Sequence, residues 1–262
     1  MSHMSSIGFA VSQEEFQSRI SLAAADAARF DTPIGSYLQW EVGAGVELWL
    51  QANAVNQIVG CNPHFYGEGR MEVAIIETVS ASGRPLDGHC FGWAAPHEPG
   101  NPFTGIHAFA ANLPDFAFVD ERILIPPIVT LQVAAFASWI DCFPTESGYL
   151  TSELGQHYSA QQGVGAWVHV ENEGLPQPEV YVTGRVTASD RKINNSTGQV
   201  FHSMVVQTDA GTIDVVADLE VSPRRPVTGS FIAGVFWLSA RIVSELPPPR
   251  RPLPFQRARS HA

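Results

Sequence analysis

Four side chains able to hold a soft metal ion stand in two short groups, Cys61 and His64 within Cys61-Asn62-Pro63-His64, and the adjacent pair His89 and Cys90. Two thiols and two imidazoles make the ligand count of a tetrahedral zinc site. Neighbouring residues of a strand point to opposite faces, so His89 and Cys90 can share one ion only across a bulge or loop. The same cluster offers a thiol nucleophile: Cys90 or Cys61, with His64 as base and Asp87 or Glu68 orienting it. Against an enzyme, the chain has no Gly-x-Ser-x-Gly elbow, no Gly-rich phosphate loop ending in Lys, no His-Glu-x-x-His and no dinucleotide fingerprint. The plain alternative for each cysteine is a small buried hydrophobe. Three widely spaced cysteines make no disulfide framework and fit a reducing, cytoplasmic setting. No cofactor is implied.

The elements that must position these residues are mainly strands. Ser12-Gln13-Glu14-Glu15 has capping-box spacing. The helix it opens carries Phe16, Ile20, Ala23, Ala24 and Ala27 on one stripe, which predicts a helix covering a sheet. Residues 47–56, 70–79 and 86–94 read as strands between turns rich in Gly, Asn and Pro. From Val180 to Ile242 short alternating strands recur, with turns at 194–198 and 209–211. Residues 166–170 read as a strand feeding that segment, and 151–162 as a short helix. Between the halves, Ile128, Leu131, Ala135, Trp139 and Cys142 fall at helical spacing behind Pro127, predicting a helix. The competing strand reading rests on the β-branched Ile128, Val129, Thr130 and Val133.

These elements give a mainly β (α+β) protein in three parts. They are a β-rich domain with its covering helix (5–145), a small OB-like Greek-key barrel (146–245) and a Pro/Arg-rich tail expected to be extended and disordered (246–262). Arg84-Pro85-Leu86-Asp87-Gly88 echoes Arg225-Pro226-Val227-Thr228-Gly229, as tandem related units would. Charge is distributed unevenly: residues 1–178 carry net −14, 179–245 net −1 and 246–262 net +4. An acidic body repels nucleic-acid phosphates, so only the barrel segment and the tail suit a polyanion. The tail, with Pro247-Pro248-Pro249-Arg250-Arg251-Pro252, also suits docking in an aromatic-lined groove of a protein partner. Asp214 reads as an exposed carboxylate, or as a partner for Arg185 or Arg241.

Residues 180–242 resemble an oligonucleotide/oligosaccharide-binding (OB) fold. Through residues 211–218 and 234–239 the whole chain is similar to a family of bacterial proteins with no assigned activity. The OB resemblance lacks one strand, to be supplied by 166–170 or by a bend in 231–242. It implies a ligand face on the second and third strands, with Arg185, Arg191, Lys192, Phe201, His202, Arg224 and Arg225 as candidates for phosphate contact and base stacking. Together these readings point to a non-enzymatic binding or assembly protein. Self-association is expected through aromatic strands such as Phe236-Trp237-Leu238, with no membrane partner. Single-stranded nucleic-acid binding and a Cys/His hydrolase or zinc protein are the alternatives.

Overall fold

In the computed structural model, residues 3–98, 101–120, 128–162, 167–169 and 177–245 are described. The tail 246–262 lies outside them. Helix α1 (Gln13–Asp26) leads into four strands, β1 (Ala28–Thr32), β2 (Gly35–Gly43), β3 (Val46–Ala52) and β4 (Ile58–Phe65), which form an antiparallel meander of their own. A second sheet takes the rest. It comprises β5 (Met71–Ala81), β6 (Arg84–Ala94), β7 (His107–Asn112), β8 (Ile128–Phe143), β9 (Trp167–His169), β10 (Glu179–Ile193), β11 (Val200–Thr208), β12 (Gly211–Asp218) and β13 (Phe231–Ile242). Short helices α2 (Phe116–Asp120), α3 (Glu146–Leu150) and α4 (Glu153–Gln162) lie between strands. Among the described residues, no helix is long and apolar enough to cross a membrane.

Helix α1 forms as the capping signature requires: the Ser12 hydroxyl accepts from the Glu15 backbone N–H at 3.2 Å. The Glu15 carboxylate does not reach back, and pairs instead with Arg19 one turn on, at 2.6 Å. Phe16, Ile20, Ala24 and Ala27 pack on the cluster that holds Leu48, Leu50, Phe65, Phe136 and Phe201. The helix therefore lids the seam between the two sheets.

The second sheet closes on itself. β10, β11, β12, β8 and β13 pair in a ring, antiparallel except for β12 with β8. β5, β6, β7, β13 and β8 make another ring with the same pattern, the parallel pair now being β7 with β13. The two rings share the β8–β13 ladder. When their pairings are aligned on the bulge that each carries, Ile75/Glu77 in one and Val186/Ala188 in the other, the inward positions correspond. Met71 matches Val182, Cys90 matches Met204, Phe109 matches Ile213, Ala111 matches Val215, and Val133 matches Phe236; all belong to one buried cluster. The chain thus repeats one five-strand pattern. The echoing segments are not the equivalent positions, since Arg84 opens β6 whereas Arg225 lies in the loop before β13.

One reading is corrected outright: residues 128–143 form a 16-residue strand, not a helix. In a run this apolar, a helical stripe arises without a helix. The β-branched residues prevail because β5, β12 and β13 all supply ladder partners to β8. Val129, Leu131, Val133, Ala135 and Ala137 alternate into the shared interior. β8 is also the strand missing from the C-terminal ring, instead of 166–170 or a bent 231–242. β9 pairs along β10 at Val180, Tyr181 and Val182, and β13 runs along β8 from Phe231 to Ile242. β8 precedes the expected boundary at residue 145 and closes the ring of strands that follow it.

The shared ladder makes the rings thermodynamically inseparable. Phe236→Ala should lower stability by about 3–5 kcal/mol. Guanidinium titration followed by tryptophan fluorescence and far-UV circular dichroism should give one coincident transition in both proteins. Two resolved transitions would show that 5–145 and 146–245 unfold independently.

Candidate functional site

A cleft of about 410 Å³ opens on the outer face of the C-terminal ring. Its walls are Ser189, Asp190 and Lys192 of β10, Ser203 and Val205 of β11, and Asp214 of β12, with Phe65 to Glu68 closing over them. The alternation of the strands sets this division: Met204, Ile213 and Val215 point into the ring, so Ser203, Val205 and Asp214 point out. Three carboxylates, Glu68, Asp190 and Asp214, face the chain's single lysine, Lys192, whose ammonium lies 5.9 Å from the Phe65 ring centroid. The Ser189 hydroxyl is buried and has no partner among the described residues.

Asp214 anchors the cleft. Its Oδ1 accepts from the Glu68 N–H at 3.0 Å, and its Oδ2 accepts from the Gly69 N–H at 2.9 Å and from Gln132 Nε2 at 2.7 Å. Consecutive backbone N–H groups wrapped on a carboxylate form an anion nest. The loop fits only because it approaches so closely: a Cβ on Gly69 would stand 2.8 Å from the Asp214 backbone nitrogen. Burial pushes the Asp214 carboxyl above its ordinary range, and the three hydrogen bonds and the nearby Arg70 oppose that shift.

A buried chain continues behind Asp214. Gln132 Nε2 donates to the Phe65 carbonyl and to Asp214, which turns its Oε1 toward His64 Nε2 at 2.6 Å. That geometry makes Nε2 of His64 the donor and leaves Nδ1 to accept from the Ser239 hydroxyl at 2.9 Å. Ser239 and His64 have the composition of a nucleophile and its base, yet Ser239, His64 and Gln132 all have 0 % exposure, so no substrate reaches the hydroxyl. The chain fastens β4 to β8, β12 and β13. Burial first, then the Arg241 charge, lowers the His64 pKa to about 3, against the pull of its Gln132 bond.

The proposed metal set does not assemble. Cys61 sits beside the apolar cluster under α1, Cys90 points into the ring interior, and His64 is spent on Gln132 and Ser239. His89, on the opposite face from Cys90, stacks edge-on with Phe91. Among the described residues no three His, Cys, Asp or Glu groups gather to hold a metal ion. Burial pushes both the Cys61 and Cys90 thiols up to about 12, which also removes the thiolate that a nucleophile needs.

The expected ligand residues scatter. Phe201 is fully buried against Phe65 and cannot stack a base, because odd positions of β11 at this end meet the cluster under α1. His202 is buried, and Arg185 is paired with Glu146 at 2.8 Å. Arg191, Arg224 and Arg225 are exposed. Arg191 and Arg225 stand close enough to His202 to add to the burial that lowers its pKa. Lys192 alone lines the cleft. Asp214 is 2 % exposed and meets neither Arg185 nor Arg241. Arg241 instead lies over Trp49 at 4.7 Å and pairs with Glu47 at 3.4 Å. Phe236 and Leu238 point inward, and Trp237, partly buried, lies against His3 and Phe136. Gln132, Ser239 and Tyr66 had no signal beyond being polar or aromatic interruptions of apolar runs. No protein-family model and no curated protein matches the chain.

Neutral His64 fixes a pH dependence. Its folded pKa lies below the ordinary 6.5, so as pH falls from 6.5 toward 3 only the unfolded chain gains that proton. This costs about 1.4 kcal/mol of stability per pH unit. Asp214, shifted upward, acts in the opposite sense. His64→Gln should destabilise at pH 7 by about 1–3 kcal/mol, and its deficit against wild type should shrink between pH 7 and pH 4. A deficit independent of pH in urea titrations would contradict a neutral buried imidazole.

Proposed function

We propose that this chain is a non-enzymatic binding protein whose contact surface is the outer face of β10, β11 and β12, and that the cleft there takes a small cationic organic ligand. The observation that carries this reading is the cleft itself, where the exposed carboxylates of Glu68 and Asp190 stand over the buried, hydrogen-bonded Asp214 and face one ammonium, that of Lys192. Its volume of about 410 Å³ lies in the range of small-molecule sites. The position on the second and third strands of a five-strand ring is where the OB resemblance puts its ligand face. Acidic walls favour an ammonium or guanidinium group and disfavour phosphate.

Agmatine serves as the probe and glutarate as its anionic control. At a concentration about 100 times its Kd, agmatine should stabilise the fold by about 2.7 kcal/mol, raising Tm by roughly 5 °C. Asp190→Asn and Glu68→Gln should reduce that shift, and Glu14→Gln on exposed α1 should not. Equal shifts in all variants would sink the reading.

Nucleic-acid binding is the second reading, favoured by exposed Arg191 and Arg225 near His202 and by exposed Arg224. Phosphate contact suits them, and Phe201 is inaccessible for base stacking. Retention of a labelled oligothymidylate at low salt, weakened by Arg224→Ala and Arg225→Ala and lost as salt rises, would favour it over the cationic ligand.

A further inference from the structure

A second cleft, of about 560 Å³, adjoins the first. Glu41, Glu47, Arg241 and Val243 are among its walls, and Tyr66 lines both clefts. The pair reads as one groove crossing the turn after β4, with an aromatic side chain at its middle, 44 % exposed. Acidic groups lie at both ends: Glu41 and Glu47 on one side, Glu68, Asp190 and Asp214 on the other. Three cations, Arg241, Lys192 and Arg70, oppose these five carboxylates, and Arg70 lies over the Tyr66 ring at 5.8 Å. Arg241 is already held by Glu47 and by Trp49, whereas Glu41 is exposed and makes no ion pair among the described residues.

The described chain ends at Glu245, two residues beyond Val243 in the groove wall. Residues 246–262, outside the described residues, carry four arginines and no acid, with the first two arginines inside Pro249-Arg250-Arg251-Pro252-Leu253-Pro254. A proline-rich segment spans roughly 3.1 Å per residue, and Arg250 stands five residues beyond Glu245 in the sequence. Prolines docking on an exposed aromatic, flanked by arginine–carboxylate pairs, is a known mode of peptide recognition.

We infer that the groove is a docking site for an arginine- and proline-rich peptide, and that its occupant is this chain's own 246–262 segment. The inference rests on the cationic preference assigned to the first cleft and extends it from a small ligand to a peptide.

Lys192 is the single lysine, so a Lys192→Arg background leaves an introduced lysine as the one side-chain amine open to carbodiimide coupling. In the full chain carrying Arg250→Lys, the new amine should couple chiefly to Glu41. With Arg257→Lys, coupling should go chiefly to Glu68 or Asp190. Adding Glu41→Gln should abolish the first product. Coupling spread over carboxylates away from the groove, such as Glu14, Asp31 and Glu146, would overturn the inference. So would products found only between chains in a mixture of 14N- and 15N-labelled protein, which would make a second copy the occupant. These cross-links are independent of the agmatine thermal shift. A shift without groove cross-links removes the docked segment and leaves the small-ligand site standing. Groove cross-links without a shift do the reverse.

Discussion

The ladder between β8 and β13 is the interaction on which the rest of the molecule depends. Twelve residue pairs, from Phe231 with Phe143 to Ile242 with Leu131, join the two strands, and each strand then divides its other edge between the two halves of the chain. β8 offers that edge to β5 and to β12 along different parts of its length, and β13 does the same for β10 and β7. An interior built this way is continuous. A substitution on either strand acts in both rings, and neither half can close without residues from the other.

Sheet β1–β4 is attached on different terms. β3 is buried along its whole length, so both its faces need covering. Leu48 and Leu50 find an apolar partner surface, while Glu47 and Trp49 bond to each other and meet Arg241. Asn62 and His64 of β4 donate across to Asp87 and Gln132. An unmatched polar group here would cost about 1–3 kcal/mol, so the two sheets can dock in only one register. The apolar half of the contact supplies area and the polar half fixes position. That fixed position holds the 65–69 loop over Asp214, and with it the roof of the cleft.

The sequence made the individual elements visible, because the rules for them are local. The Ser12 cap, the strands near 47–56, 70–79 and 86–94, and the alternating 180–242 segment all correspond to elements of the structure. What stayed hidden was non-local. Nothing in residues 128–143 distinguishes a central strand from a buried helix, since both tolerate an apolar run, and only partners 54 to 111 positions away decide it. The site was obscured for a related reason. Asp214 between Ile213 and Val215 reads as a surface residue of an alternating strand, and its burial follows from Gly67 and Gly69, nearly 150 residues earlier, which let the loop close on it. Cys61, His64, His89 and Cys90 attracted attention through chemical type alone. The pleat sends His89 and Cys90 apart, and Cys61 and His64 leave β4 on opposite faces.

The repeat between rings shows why one half carries a cleft. Inward positions match nearly residue for residue, since any residue there must fill the shared interior. Outward positions diverge. Aligned by the same pairings, Asp214 corresponds to Ala110, Ser203 to His89 and Val205 to Phe91. Ala110 is fully buried and Phe91 nearly so, leaving an apolar outer face where the other ring has a polar one. A single meander laid across the junction cannot treat two equivalent faces alike, because its β4 end projects the 65–69 loop toward β12 only. The acidic cleft therefore arises from breaking the pattern: the rings supply the same scaffold twice, and the asymmetric sheet turns one outer face into a site.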